Sequence, residues 1–315
     1  MTKIYLFPGQ GAQQQGMGRG LFDLFPQYVQ QADLVLEWSV RDVCLNPHKA
    51  ENTARADTMQ KLMPKRVEKT FQGFNNPDQI LAHTQVTQPV MYVVNALALM
   101  ARLKEDPVPP DFVAGHSVGE YSALYAAGVF DFVTGLRLVK RRGELMGILK
   151  DGGMAAVHGM TAEKINEVLS AHELTTLDLA NFNTPEQVVI SGPKKDIQRA
   201  GEIFLKSGAG HYIVLNVGCA FHSRYMREIV GEFKSFIKGV AFLTPRVPVI
   251  ANVSGLPYPG DADAIKNTLV RHITSPVLWS QGMTFLLSQQ DPQFHEIGPG
   301  KVLTGLLRRI RQCRK

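Results

Sequence analysis

The sequence predicts an α/β protein, a main domain into which a small βαββαβ subdomain is inserted. Three observations carry that reading. Its 315 residues suffice for one large α/β domain or two of ordinary size. A short apolar run, Phe112-Val113-Ala114, enters Gly115-His116-Ser117-Val118-Gly119 and passes at once into a helix pattern: strand, tight turn, helix. After Gly152-Gly153 the texture changes to strand, helix, strand, strand, helix, strand with short connections, the ferredoxin-like order.

Residues 3–7 read as a buried first strand, stopped by Pro8-Gly9-Gln10-Gly11-Ala12-Gln13. Gln14 stands where G-x-G-x-x-G needs its third glycine, and no G-x-x-x-x-G-K-[ST] occurs, so neither phosphate-loop pattern is met. The loop either presents N–H groups to an anion or is a plain turn. Residues 20–43 read as largely helical, apolar at Leu21, Leu24, Phe25, Val29 and Leu34, with a break at Pro26. Residues 45–80 are polar and lysine-rich, a surface excursion with a short helix over 58–69; the stretch 48–77 has no assigned role. Thr84-Gln85-Val86-Thr87-Gln88-Pro89 opens an amphipathic helix over 90–104, with proline near its first turn.

Beyond the turn at Ser117, a helix covers 132–149 and carries Lys140-Arg141-Arg142-Gly143-Glu144-Leu145-Met146. The inserted unit reads as strands at 154–158, 177–180, 187–190 and 212–217, with helices at 161–171 and 194–206. The chain returns through Gly-Cys-Ala-Phe-His-Ser-Arg-Tyr-Met at 218–226. Helices at 228–237, 264–272 and 281–287, strands at 249–252 and 294–297, and a terminal helix complete it. A serine on a sharp strand-to-helix turn is the nucleophile elbow, its hydroxyl uncrowded above a helix N-terminus. Residues 1–152 and 219–315 are therefore assigned to an α/β-hydrolase-like main domain and 153–218 to a ferredoxin-like subdomain. The plain alternative is a serine capping an ordinary βα turn.

Composition narrows the class. The chain is 44% hydrophobic and 20% charged, with no low-complexity tract, as in a globular protein. Cys44, Cys219 and Cys313 lie far apart with no C-x-x-C pair, against a disulfide scaffold and for a reducing, cytoplasmic setting. The N-terminus reads as a strand rather than a signal peptide, and no apolar run approaches the roughly 20 residues of a membrane span. The formal charge of +6 would suit nucleic acid, a membrane surface or an acidic protein. No zinc-finger spacing or helix-turn-helix pattern supports nucleic acid. The basic stretch 308–315 is a solvated helix end or a docking patch. No clustered ligand set suggests a metal.

Ser117 needs a base. His116 is adjacent and points elsewhere at an elbow; His222 lies where the chain rejoins the main domain. Cys219, three residues before His222, invites a Cys–His pair, but the elbow favours Ser117.

Gly9-Gln10-Gly11-Ala12-Gln13, Thr87-Gln88-Pro89, Gly115-His116-Ser117-Val118-Gly119-Glu120, Arg142-Gly143-Glu144-Leu145-Met146, Ala220-Phe221-His222-Ser223 and Gly298-Pro299-Gly300-Lys301 together resemble the malonyl-CoA:acyl-carrier-protein acyltransferase family. They stand in that family's order and span nearly the whole chain. The standalone length resembles the discrete acyltransferases that serve polyketide synthases in trans.

The resemblance implies a Ser117–His222 dyad and a ping-pong reaction through an acyl-serine. The oxyanion would be held by the backbone N–H groups of Gln10 and Val118, and His222 oriented by a backbone carbonyl within 272–277. Arg142 would hold the malonyl carboxylate with two charge-assisted hydrogen bonds, Gln88 would bond nearby, and Asn183 would brace the site. Met146 belongs to the arginine motif and is counted with the substrate-binding residues. Phe221 would fill the space of an α-methyl group, as in malonyl-selective members. The family implies no permanently bound cofactor, malonyl-CoA as substrate, an acyl carrier protein as partner, and a monomer. Two alternatives stay open. One is an acyl hydrolase on the same fold, which would have no use for Arg142; the other is a non-catalytic docking protein, which would not need the intact set.

Overall fold

The computed structural model describes residues 1–45 and 77–314. The expected helix over 58–69, and nearly all of the stretch 48–77, lie outside the described residues. The chain is a mixed α/β protein with one parallel and one antiparallel sheet, each of four strands.

The first sheet has the order β7-β2-β1-β8. β1 (Thr2–Phe7) pairs in parallel with β2 (Phe112–Gly115) and β8 (Pro292–Glu296), and β2 with the short β7 (Val249–Ile250). Ile4, Tyr5, Leu6 and Phe7 are all buried, the unbroken apolar run of a strand covered on both faces. Successive side chains serve opposite layers. Tyr5, Phe7 and Val113 enter the core beneath α4 (Thr84–Glu105), α5 (Gly119–Ala126) and α6 (Phe132–Ile148). Ile4, Leu6 and Ala114 meet Trp279, Met283 and Leu286 of α11 (Trp279–Leu287) and Leu303, Leu307 and Ile310 of α12 (Val302–Cys313).

The N-terminal helices keep the break expected at Pro26 but bury a different face. Pro26 opens α2 (Pro26–Leu36), where its missing N–H is harmless. Short α1 (Leu21–Leu24) precedes it and α3 (Val40–Leu45) follows. Leu24 and Leu34 are 58% and 74% exposed, while Phe22, Ala32 and Leu36 face the core. α4 begins at Thr84, so Pro89 lies inside the helix. At 22 residues, α4 is long and apolar enough to cross a membrane by length and composition, contrary to the expectation of no such run. Its 72% burial, with Gln88 and Asn95 among the buried residues, marks it as the core helix against which α6 packs. A Cβ at Gly143 would stand 3.1 Å from the Thr84 carbonyl oxygen, so glycine lets the two helices close up beside Gln88.

The second sheet, β4-β5-β3-β6, is antiparallel and is made by a continuous run. That run is β3 (Gly152–His158), α7 (Ala162–Ala171), β4 (Asp178–Thr184), β5 (Gln187–Pro193), α8 (Lys194–Lys206) and β6 (His211–Val214). One face packs under α7 and α8 with Ala155, Val157, Ile190, Ile197 and Phe204. The other turns Met154, Ala156 and Val189 toward the main core. β4 runs past the expected 177–180 because Asn181, Phe182 and Thr184 continue its pairing across two irregularities, Asn183 being skipped at the second. The main-chain link from Val277 N–H to the Ala180 carbonyl and from Phe182 N–H to the Val277 carbonyl, both 2.9 Å, stitches this sheet to the segment after α10 (Ala262–His272). α9 (Arg227–Lys238) follows the return of the chain.

Candidate active site

Ser117 sits at the C-terminal end of β2 with φ 52°, a left-handed conformation that costs a non-glycine residue about 1–3 kcal/mol. The bend is possible because strand and helix touch through glycines. A Cβ at Gly115 would stand 2.0 Å from the Gly119 carbonyl oxygen, and one at Gly119 2.2 Å from that of Phe7. Asn252 holds the turn from outside. Its Oδ1 accepts from Ser117 N–H at 2.8 Å, and its Nδ2 donates to the Gly115 carbonyl at 2.7 Å. Its own amide donates to Glu120 Oε1 at 2.8 Å.

Ser117 Oγ lies 2.8 Å from His222 Nε2. His222 Nδ1 faces two carbonyl oxygens, of His272 at 3.1 Å and Ser275 at 3.2 Å. Carbonyls only accept, so Nδ1 carries the proton and Nε2 presents its lone pair to the serine hydroxyl. Burial, and then His272, Arg142 and His116, hold the pKa of His222 well below 6.5, which keeps the base neutral. His116 is engaged by Asn183, whose Oδ1 is 2.8 Å from its Nε2, and burial pushes its pKa down to about 4. Cys219 donates from Sγ to the carbonyls of Met146 and Leu149, both at 3.0 Å, and burial raises its pKa to about 11. That thiol closes the end of α6 and is not a nucleophile.

Arg142 is 2% exposed, not the solvated member of a basic run. Its Nη1 donates to Gln88 Oε1 at 2.7 Å, and its Nη2 lies 3.4 Å from Ser117 Oγ. Its Cζ is 5.8 Å from the centre of the Tyr121 ring. No carboxylate among the described residues pairs with it. The Gln88 amide orientation follows from the guanidinium, which only donates; Gln88 Nε2 then reaches Met146 Sδ at 3.4 Å.

Ser117, His222, Gln10, Val118, Arg142, Gln88, Phe221 and Asn183 line one cavity of ≈ 240 Å³. Met146 does not line it. Its thioether lies behind Gln88, so its reading as a substrate contact is corrected to that of a brace for the Gln88–Arg142 pair. The backbone N–H groups of Gln10 and Val118 make no hydrogen bond among the described residues. Asn252 and Glu120 were not expected in any role at the site. Asn252 carries no signal beyond its place at the end of a strand, and Glu120 none beyond closing the Gly115–Glu120 motif.

A strained serine paired with a carbonyl-oriented histidine, in a cleft between two sheets, defines a serine acyltransferase class of site. Residues 4–311 match the acyl transferase domain family, and the chain belongs to it. Among curated relatives, the polyketide biosynthesis malonyl CoA-acyl carrier protein transacylase BaeC of Bacillus velezensis is 45% identical over 98% of this chain and 96% of its own. Polyketide biosynthesis protein PksE of Bacillus subtilis is also 45% identical over 98% of this chain, but the match spans only 36% of that longer protein. Among solved structures, malonyl CoA-acyl carrier protein transacylase from Burkholderia pseudomallei superposes with TM-score 0.86 at 40% identity, over 99% of this chain and 98% of that one. A malonyl-transacylase solved in complex with its type II PKS acyl-carrier protein gives TM-score 0.84 at 32% identity, over 99% and 94%.

Proposed function

We propose that this chain transfers malonyl from malonyl-CoA to the phosphopantetheine thiol of an acyl carrier protein, in polyketide biosynthesis, with no permanently bound cofactor. The observation that carries the reading is a buried, carboxylate-free Arg142 beside a Ser117 already hydrogen-bonded to His222. Ser117 Oγ attacks the thioester carbonyl carbon while its proton passes to His222 Nε2. The tetrahedral oxyanion meets the N–H groups of Gln10 and Val118, each worth roughly 3–4 kcal/mol in comparable sites. Collapse breaks the C–S bond, and the departing CoA sulfur takes the proton from His222. The carrier thiol then gives its proton to His222 and attacks the malonyl-serine ester; the ester C–O bond breaks and Ser117 Oγ recovers the proton. Arg142 holds the malonyl carboxylate throughout, with Gln88 setting its plane, Asn183 bracing from β4 and Phe221 filling the α-methyl space.

In the same reading the fold is an α/β-hydrolase-like main domain (1–152 and 219–315) with a ferredoxin-like subdomain (153–218), supported by the β4-β5-β3-β6 order. The chain works as a cytoplasmic monomer. The hydrolase alternative gives no use to the buried guanidinium. Intact-mass measurement after incubation with malonyl-, methylmalonyl- and acetyl-CoA tests the proposal: a malonyl adduct is expected on wild type and none on Ser117→Ala. An undiminished adduct on Ser117→Ala protein would remove Ser117 as the nucleophile.

A further inference from the structure

Two fully buried titratable groups beside the site have no part in the reaction written above. Glu120 and His272 are each 0% exposed. The carbonyl of His272 accepts from His222, and its ring also stacks on that of His222, centroids 4.8 Å apart and planes at 29°. On its other side His272 Nδ1 lies 2.7 Å from Glu120 Oε2. Glu120 Oε1 accepts from the Asn252 amide at 2.8 Å and the Tyr258 hydroxyl at 2.9 Å. The elements therefore stack in the order serine, histidine, histidine, carboxylate.

The charge balance makes this order consequential. Glu120 is the only carboxylate in the buried set of the described residues. Around it and His222 stand Arg142, His116 and His272, with Tyr121 and Tyr258 as neutral hydroxyls. When His222 takes the serine proton, burial opposes the new charge, as do any charge on His272, then Arg142 and His116. Its Nδ1 meets carbonyl dipoles rather than an anion. The state of His272 follows from its other nitrogen, Nε2, which has no partner among the described residues. A doubly protonated ring would bury an unpaired cationic N–H there. A neutral ring with its proton on Nδ1, toward Glu120, buries no unpaired cationic N–H, the smaller penalty. The short Nδ1–Oε2 approach is off the hydrogen-bond axis, so it acts chiefly as a charge–dipole contact.

We propose that Glu120 and His272 form a second imidazole–carboxylate pair that acts on the first: the Glu120 charge, carried to the face of His222 by the stacked neutral ring of His272, stabilises the His222 imidazolium formed as Ser117 attacks. The proton moves only from Ser117 Oγ to His222 Nε2; Glu120 stays ionised and His272 neutral. Both are positioning residues, since neither touches substrate. The inference rests on Ser117 and His222 being the transfer pair.

The test uses His272→Gln, which keeps the backbone carbonyl and removes the ring, Glu120→Gln, which keeps the shape and removes the charge, and the double variant. Single-turnover malonylation of Ser117 is followed across pH in each. Both single variants are expected to slow it about tenfold with little change in KM, and to move the acid limb to lower pH by about one unit, because Glu120→Gln removes the counter-charge and His272→Gln removes the ring through which it acts. The double variant should fall no further than the worse single one. A merely structural defect would depress the rate at every pH without moving the limb. Folded His272→Gln protein with the wild-type rate and limb overturns the proposal, whether or not Glu120→Gln folds. In parallel, titration of the His222 ring by NMR, without substrate, should show the same downward shift. Absence of any malonyl adduct on wild type would refute the proposed function instead, and the NMR shift would still decide the pairing.

Discussion

Arg142 Nη2 stands 3.4 Å from Ser117 Oγ, and no carboxylate among the described residues forms an ion pair with the guanidinium, the buried Glu120 acting on it only from beyond contact. A cation this deeply buried without a counter-ion is unfavourable, and Gln88 and the Tyr121 ring offset only part of that. In the proposed reaction a malonyl carboxylate arriving beside the nucleophile would supply the missing charge, and in doing so orient the thioester carbonyl toward Ser117.

Arg142→Ala should therefore reverse substrate preference. Removing one partner of a buried charge pair costs about 2–5 kcal/mol, or roughly 30- to 5000-fold in binding. Malonyl transfer should fall by that order, while acetyl transfer, which brings no carboxylate, holds or rises. Kinetics with both thioesters on wild type and variant check this. An unchanged malonyl-to-acetyl ratio would exclude Arg142 as the carboxylate ligand.

Asn252→Ala should uncouple the elbow from its support. It leaves the Ser117 N–H and the Gly115 carbonyl unpaired, each loss worth about 1–3 kcal/mol. The positive φ at Ser117 then relaxes, and malonyl-enzyme formation should slow by about 10- to 100-fold with a lower Tm. Asn252→Asp, which keeps Oδ1 as acceptor and loses the Nδ2 donor, should fall between. Stopped-time intact mass and thermal melts measure both effects; a wild-type acylation rate in the alanine variant rules the brace out.

Gly119→Ala should be severe. Its Cβ would stand 2.2 Å from the Phe7 carbonyl oxygen, a backbone atom of the central strand that cannot swing away. Overpacking at the top of its range, about 3 kcal/mol or more, is expected. Soluble yield and denaturant midpoint report it. A variant as stable as wild type would mean that strand and helix can separate without loss.

Stability should fall on the acid side of neutrality. The folded pKa of His116 is lowered from 6.5 to about 4 by burial, so the unfolded chain binds its proton first. The associated stability is fully present above about pH 6.5 and is lost as pH falls toward 4, up to roughly 3 kcal/mol for this group. His222, shifted in the same direction, adds to the slope. Melts from pH 7.5 to 4.5 should show a smaller decline for His116→Asn than for wild type; equal slopes would assign the decline to other groups.

Local pattern reached some elements and missed others for identifiable reasons. α8 (Lys194–Lys206) was legible to the residue, because proline and glycine stand at its flanks and its apolar face is regular. The start of α4 was not, because Pro89 reads as a helix opener when only its missing N–H is considered, and tertiary packing against α6 overrides that preference. Leu24 and Leu34 look like core residues by type, but the face a helix buries is chosen by its neighbours.

By itself the sequence determined the elbow at Ser117, the alternation that makes a parallel sheet with an inserted unit, and the residue types able to form an acyl-serine and bind a carboxylate. These depend on short-range order: glycines where a Cβ cannot fit, apolar periods, and a serine between strand and helix. Tertiary structure alone decided that Arg142 is buried and that Met146 stands behind Gln88. It also decided that Asn252 clamps the turn from 135 residues away, and that His272 stacks on His222 with Glu120 against its Nδ1. Those relations join chain segments from different sheets and helices. Their energies come from desolvation and from partners brought together by packing, which no local pattern of residues encodes.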